Sequence, residues 1–195
     1  MRESEIRSWG KRIDEYIRFK RPDSPLVGFG ETFVRESAAN PLSYRVTVEA
    51  TRPEQDGVFE HPAHGFSRST HLDFRLPVAI AGAETSFATA GPGPAVHNAW
   101  GYFDPATGTN MVFPDWPAGI RRICNALASN YVALGFDSIA RIGSKWCPVG
   151  ASNDPGGINV HWVPTVTTFY LELGGVEYVS RPVAGGYPKG QRAVA

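Results

Sequence analysis

The sequence has few cysteines and lacks a long apolar run. Cys124 and Cys147 are too far apart for the short spacing of a zinc site, and two thiols do not make a disulfide framework. The longest apolar stretch, residues 76–82, is far shorter than the roughly 20 residues that cross a bilayer. The first residues, MRESEIRSWGKR, lack the apolar core of a signal peptide. We therefore expect a cytoplasmic protein, or a virion component if the chain comes from a phage, with no membrane partner.

An excess of charge of either sign is also missing. The chain has 19 Lys and Arg against 19 Asp and Glu. A neutral protein has no long-range attraction for nucleic acid, so nucleic acid is not an expected partner. Basic residues are frequent in the first 21 positions, but acidic residues alternate with them. This is typical of a solvated helix face, with an anion-binding patch as the alternative.

Motifs for nucleophilic or phosphate chemistry are absent. The sequence contains neither a G-x-S-x-G nor an H-E-x-x-H pattern. The glycines between Gly150 and Gly157 are not followed by the Lys-Ser/Thr pair of a P-loop. Cys124 lies on an apolar helix stripe, which indicates a buried, unreactive thiol. No catalytic or cofactor-binding residue is predicted on this basis, and no cofactor is expected apart from the iron alternative below.

The composition predicts a single α+β domain. A chain of 195 residues suits one domain, and the 21 glycines and 16 prolines favour turns and short strands. We expect an antiparallel sheet of hairpins and meander strands, packed with two amphipathic helices, over residues 1–180. Residues 181–195 have no core-forming pattern and are predicted to be a flexible C-terminal tail.

Two segments have the apolar period of an amphipathic helix. The first precedes Pro22, and its stripe is Ile6, Trp9, Ile13, Tyr16 and Ile17. The second begins near Asp115, a favourable N-cap, has Pro117 in its first turn and is expected to end at Gly135. Its stripe is Ile120, Ile123, Cys124, Leu127, Tyr131 and Leu134.

The remaining regular segments are predicted to be strands. Alternating apolar residues predict strands at 44–50 and 71–78, and further strands are expected at 136–145 and 159–163. Residues 100–103 and 111–113 flank a turn and predict a hairpin, and 165–179 predicts a second one around Gly174-Gly175. Residues 22–42, 51–69 and 147–157 are expected to be loops.

One candidate metal site follows from the predicted strands. His71 and Asp73 at i and i+2 would point to the same face of a strand, and His161 would be the third ligand of a two-histidine, one-carboxylate iron site. The order of these residues resembles that of the 2-oxoglutarate oxygenases, which implies an Fe(II)-dependent oxygenase or a cupin-like metal enzyme. Those enzymes have an arginine shortly after the distal histidine, whereas here the next one is Arg181, twenty residues later. Arg75 beside Asp73 favours the alternative of a charged outer strand face.

The function predicted first is assembly through protein–protein contacts, as a homo-oligomer. The succession of a helix, meander strands, a second helix and a closing strand pair resembles small ring-forming tail-terminator and neck proteins of tailed phages, which implies contacts through loops and strand edges. A third alternative is a binding module with exposed aromatic side chains. Its candidate residues are Trp100, Tyr102, Trp116, Trp146 and Trp162.

Overall fold

In the computed structural model, which describes residues 1–47, 65–104, 106–152 and 154–175, the chain folds into six α-helices and two short antiparallel hairpins. The helices are α1 (Glu3–Lys20), α2 (Gly30–Ala38), α3 (Arg75–Thr85), α4 (Trp116–Asn130), α5 (Ile139–Trp146) and α6 (Trp162–Glu172). Strand β1 (Pro41–Thr47) pairs with β2 (Gly65–His71), and β3 (Phe103–Asp104) pairs with β4 (Thr109–Asn110). The broad α+β class is confirmed, but helices predominate over sheet.

The first predicted helix is confirmed as α1. Its residues Ile6, Ile13 and Ile17 are buried, as the periodic stripe predicts. Acidic side chains occupy its first turn and basic ones its last turn, which suits the helix dipole. The helix ends at Lys20, two residues before Pro22.

The second predicted helix is confirmed as α4. The Asp115 side chain accepts a hydrogen bond from the Ala118 backbone N–H at 2.7 Å, which satisfies an otherwise unpaired donor of the first turn. The helix ends at Asn130 and a 3₁₀ turn follows, so Leu134 lies outside the buried stripe and is 63% exposed. Gly135 then adopts a left-handed conformation, with φ of 87°.

The predicted strand 71–78 is wrong beyond His71, because α3 begins at Arg75. The first turn of a helix accommodates Pro77, since the backbone N–H that proline lacks would have no partner there. Residues 76–82 are all buried. When every residue of a segment is apolar and buried, the sequence shows no alternation of apolar and polar residues. The pattern then cannot distinguish a strand from a helix.

Two further predicted strands are helices in the structure. Segment 136–145 contains α5, whose N-cap Ser138 accepts a hydrogen bond from the Arg141 N–H, and Ile139 and Ile142 are buried at helical spacing. Segments 159–163 and 165–173 form a 3₁₀ turn and α6. The hydroxyls of Thr165 and Thr168 donate to the carbonyls four residues earlier, so these residues fit the helix despite their β-propensity.

The loop predictions are correct in part. Within 22–42 the structure contains α2 and the start of β1, and within 51–69 it contains the start of β2. Residues 48–50 of the first predicted strand, 176–179 of the closing hairpin and the tail 181–195 lie outside the described residues. The hairpin predicted from residues 100–103 and 111–113 is present as β3–β4, but its strands are Phe103–Asp104 and Thr109–Asn110. Of the predicted strand residues, Phe103 alone lies in a described strand.

All six helices contribute to one cluster of buried apolar side chains. Helices α1 and α2 cross at Gly10 and Gly30, where a Cβ on Gly30 would lie 2.0 Å from the Gly10 carbonyl oxygen, so only glycine allows this approach. Helix α3 packs against α4 and α6, and α5 packs against α6. None of the described helices has the length and apolar character needed to cross a membrane.

Candidate active site

Glu84 lies in the last turn of α3, where α3, α5 and α6 meet. The indole N–H groups of Trp146, at the end of α5, and Trp162, at the start of α6, both donate to Glu84 Oε1, at 2.8 and 2.7 Å. Glycine at position 143 permits this arrangement, because a Cβ there would lie 2.5 Å from Val163 and 3.1 Å from the Trp162 ring. The close packing of α5 on α6 therefore brings both donors to one carboxylate oxygen.

Aromatic rings pack around the two indoles that bind this carboxylate. We call Tyr102, Tyr131, Phe136, Trp146 and Trp162 the aromatic cluster. Trp146 is its centre, with ring centroids 5.7 Å from Tyr102, 5.6 Å from Tyr131 and 6.3 Å from Trp162. Apolar ring surface replaces water around much of Glu84, so the carboxyl is poorly hydrated.

Burial raises the pKa of the Glu84 carboxyl above its ordinary value. The hydrogen bonds from Trp162 and Trp146 act in the opposite direction, because they favour the charged form. The loss of hydration is the larger of these effects. Glu84 therefore keeps its proton to a higher pH than a glutamate in water does.

The second carboxylate oxygen of Glu84 remains available. Among the described residues, no hydrogen bond reaches Oε2. A Cβ placed on Gly101 would lie 3.6 Å from this oxygen, so Oε2 faces the backbone of the segment before β3. Oε2 is not among the fully buried side-chain oxygens that lack a hydrogen-bond partner in the described residues, so it is partly open to solvent. Glu84, Gly101, Tyr102 and Trp146 are each half-buried, and we call these four residues the Glu84 patch.

A buried asparagine fixes the wall opposite Glu84. Asn98 Oδ1 accepts from the N–H groups of Trp100 and Tyr102, at 3.3 and 3.0 Å. Its Nδ2 donates to the carbonyls of Tyr102 and Met111, at 2.8 and 3.0 Å. These four hydrogen bonds hold Gly101 between them, with a left-handed φ of 56°.

The three predicted iron ligands occupy different local environments. His71 is the exposed last residue of β2, and His161 is an exposed residue of the 3₁₀ turn before α6. Asp73 lies between β2 and α3 rather than on a strand, and its Oδ2 accepts from Tyr170 Oη and Arg75 Nη1, at 2.8 and 2.9 Å. The strand geometry that supported the metal site is therefore absent.

Within the described residues, no group of three or more His, Cys, Asp or Glu side chains could hold a metal ion. Iron binding by His71, Asp73 and His161 stays a prediction that metal analysis of the purified protein can test.

Most of the predicted aromatic anchors lie in the interior. Trp100, Trp116 and Trp162 are buried, and Trp100 Nε1 donates to the Pro77 carbonyl at 2.8 Å. Trp146, like Tyr102, is half-buried at the Glu84 patch. Of the five aromatic residues that the binding-module prediction expected to be exposed, Tyr102 and Trp146 are partly accessible and the other three are buried.

Sequence reasoning missed Glu84, although the sequence carried a signal. Glu84 is the single Asp, Glu, Lys or Arg between Arg75 and Asp104. A lone carboxylate in so apolar a segment is poorly hydrated once the segment folds, and perturbed carboxyls of this kind mark functional sites.

No protein-family model matches the chain, and no curated protein matches its sequence.

Proposed function

We propose that the chain is a glycoside hydrolase in which Glu84 is the general acid. One observation carries this proposal: a half-buried carboxyl has its Oε1 held by two indole N–H groups, while its Oε2 opens onto an accessible aromatic patch. Glycosidases use a carboxylic acid with a raised pKa, in apolar surroundings, to protonate the departing oxygen.

The two oxygens of Glu84 suit different parts of this reaction. The protonated Oε2 donates its proton to the glycosidic oxygen as the bond from that oxygen to the anomeric carbon breaks. The carboxylate that remains is stabilised by the two N–H donors already aimed at Oε1. Water then adds to the anomeric carbon and gives up a proton to the Glu84 carboxylate, which completes the hydrolysis and restores the general acid.

The rings beside Oε2 suit a sugar substrate. A pyranose presents C–H groups on its flat faces, and these are attracted to the negative face of an aromatic ring. Tyr102 and Trp146 are the half-buried rings next to Glu84. An oligosaccharide or polysaccharide chain can pack on them with one glycosidic oxygen at Oε2.

Thiol-based hydrolysis is disfavoured. Burial raises the pKa of the Cys124 thiol to about 12, and it also raises the pKa of Cys147 to about 11, with smaller contributions from Glu84 and Asp154. A nucleophilic cysteine needs the reverse, a lowered pKa that gives thiolate at neutral pH. The described part of the chain therefore favours acid catalysis by Glu84 over thiol catalysis.

The test is hydrolysis of a glycan panel, measured as new reducing ends. Chitin oligosaccharides, peptidoglycan, cellulose and starch oligosaccharides cover the common linkages. We expect Glu84→Gln to lower the rate on the accepted glycan at least about 100-fold, the lower range for general-acid catalysis. Glu172→Gln is the control, because Glu172 pairs with Lys20 on α1 and does not contact the aromatic cluster. Equal rates for the parent and Glu84→Gln would refute the proposal.

We propose, second, that the chain assembles with itself, as a tail-terminator or neck-type ring subunit would. The supporting observation is a group of exposed apolar side chains between α5 and α6. Val149, Ile158 and Val160 are 70%, 71% and 51% exposed. Asn159 Nδ2 donates to the Pro148 carbonyl at 2.8 Å, which brings the two ends of this loop together. Exposed apolar groups that lie close together are typical of association surfaces.

The assembly proposal predicts a mass that rises with concentration. We expect light scattering to find a multiple of the 21.2 kDa chain and Ile158→Asp to shift the population to monomer. Arg141→Asp alters the charge of an exposed α5 residue by two units without touching an apolar group, and serves as the control. A parent that is monomeric at every concentration would contradict this proposal while leaving the glycosidase proposal unaffected.

A further inference from the structure

The turn after Glu84 is left-handed at three consecutive residues. Helix α3 ends at Thr85, and Ser86, Phe87 and Ala88 have φ values of 49°, 57° and 62°. L-residues avoid this conformation because Cβ crowds the backbone, and it normally occurs at single residues. A run of three persists only where the surrounding structure holds it. The turn after α3 therefore has an unfavourable backbone conformation that contacts with the rest of the structure must stabilise.

The buried hydroxyl of Thr85 is one of the groups that hold this turn. Thr85 Oγ1 accepts a hydrogen bond from the Ala88 N–H at 2.9 Å. The same atom lies 2.8 Å from the Ala99 carbonyl oxygen and 3.2 Å from the Ala81 carbonyl oxygen. A hydroxyl has one hydrogen to donate, and the shorter contact makes Ala99 its principal acceptor.

Both the backbone and the side chain of Phe87 make further contacts that hold the turn. Ser24 Oγ donates to the Phe87 carbonyl at 2.6 Å. The Phe87 ring packs against Tyr16 and Phe169, and it lies over Gly82, where a Cβ would be 2.6 Å from the ring. The turn is thus held by contacts to α1, α6 and the loop after α1.

We propose that Thr85 is a positioning residue whose hydroxyl fixes the distance between the Glu84 carboxyl and Gly101. Thr85 directly follows Glu84, and its acceptor Ala99 lies two residues before Gly101. One hydroxyl therefore connects the end of α3, the left-handed turn and the segment that faces Oε2. This inference rests on the proposed glycosidase function, for which that distance determines where the glycosidic oxygen fits.

Few titratable groups face the Glu84 carboxyl. Helices α5 and α6 present the indoles of Trp146 and Trp162, which do not titrate. In the described residues, Cys147 is the titratable side chain whose pKa Glu84 perturbs, and that pKa is about 11, raised first by burial and then by Glu84 and Asp154. The phenol of Tyr102 is the other ionisable group of the Glu84 patch, so the pH–rate profile is also recorded for Tyr102→Phe. A high-pH limb that is the same in this variant and in the parent reports on the proton of Glu84.

The experiment compares Thr85→Val with Thr85→Ser in the full-length chain, on the glycan that the parent cleaves. Valine has nearly the shape of threonine but no hydroxyl, and serine keeps the hydroxyl. A small displacement of a catalytic group is enough to lower kcat strongly. For Thr85→Val we expect kcat to fall at least tenfold with KM within twofold. We also expect the high-pH limb of the pH–rate profile to move to lower pH, because a loosened carboxyl is better hydrated. Thr85→Ser should keep kcat and KM within twofold of the parent and leave the high-pH limb where it is.

If Thr85→Val does not fold, the double variant Thr85→Val/Ala88→Gly takes its place, because glycine adopts the left-handed conformation without strain. A variant with a lower Tm but parental kcat and pH limb would overturn the inference and leave Thr85 a purely structural residue.

If the parent cleaves no glycan, the proposed function fails, and NMR titration of the Glu84 carboxyl decides the inference separately. A lower pKa in the valine variant than in the parent supports positioning by Thr85, and an unchanged pKa overturns it.

Discussion

Trp162 Nε1 donates to Glu84 Oε1 at 2.7 Å, although the two residues are 78 positions apart in the sequence. Trp146 donates to the same oxygen from a third helix, at 2.8 Å. The environment of Glu84 therefore depends on how α3, α5 and α6 pack together. The carboxyl gains its raised pKa and its fixed orientation from tertiary structure rather than from its local sequence.

Removing an indole donor should raise the pKa of Glu84 further. Trp146→Phe keeps an apolar ring but removes an N–H that stabilises the carboxylate, so desolvation is opposed by one hydrogen bond fewer. We expect the high-pH limb of the activity profile to move to higher pH. Trp116→Phe is the matched control, since Trp116 is buried against His97 and does not touch Glu84. If the high-pH limb moves equally in both variants, the indole N–H groups do not set the pKa of Glu84.

Glu84→Gln should become more stable relative to the parent as pH rises. Because folding raises the pKa of Glu84, the native state binds more protons than the unfolded state between the unfolded pKa, about 4.3, and the higher folded value. The parent therefore loses stability as pH rises through that window, whereas glutamine does not titrate. Thermal melts of both proteins across this range should show that the Tm of the variant, relative to the Tm of the parent, increases as pH rises. A Tm difference that is constant with pH would contradict the raised pKa.

The two cysteines should differ in reactivity. Both are free thiols in the structure, with Cys124 buried and Cys147 half-buried. We expect a thiol reagent to modify Cys147 slowly in the native protein and Cys124 only after unfolding, because the reagent must reach the sulfur. Titration in denaturant without reductant should count two thiols. Rapid native modification of Cys124 would show that the core opens around α4.

The sequence predicts α1 and α4 well because each has a polar face, a start signal and a stop signal. It does not predict α3, α5 and α6. In α3 the residues from Leu76 to Ala81 are buried on all sides, so no polar face marks the helical period. In α6 the threonines favour a strand, and the hydrogen bonds from their hydroxyls to earlier carbonyls exist only once the helix has formed.

The candidate site lies on these three poorly predicted helices. Its partners Glu84, Trp146 and Trp162 are distant in sequence and share no motif, so their meeting follows from helix packing alone. Asp115 and Pro117 are local signals, which is why the start of α4 could be anticipated. Its end could be anticipated only approximately, because α4 ends at Asn130 and Gly135 ends the 3₁₀ turn that follows.

Gly101→Ala should lower the rate of hydrolysis more than tenfold, with little effect on the fold beyond backbone strain. The new Cβ would lie 3.6 Å from Glu84 Oε2, in ordinary van der Waals contact. A glycosidic oxygen that accepts a proton from Oε2 must approach to about 2.7 Å, so the methyl group occupies part of the space that it needs. Gly101 also has φ of 56°, and alanine adds strain there.

Gly91→Ala separates these two effects. Gly91 has φ of 69°, and nothing lies within 4 Å of the position its Cβ would take. The variant therefore introduces comparable backbone strain away from Glu84. We expect both variants to lose a similar amount of Tm, while only Gly101→Ala loses more than tenfold in kcat/KM. Backbone strain lowers the stability of both variants, but only the methyl group of Gly101→Ala obstructs the approach to Oε2. A parental rate for folded Gly101→Ala would mean that the substrate does not approach Glu84 from this side, because no oxygen could then share the space with the methyl group.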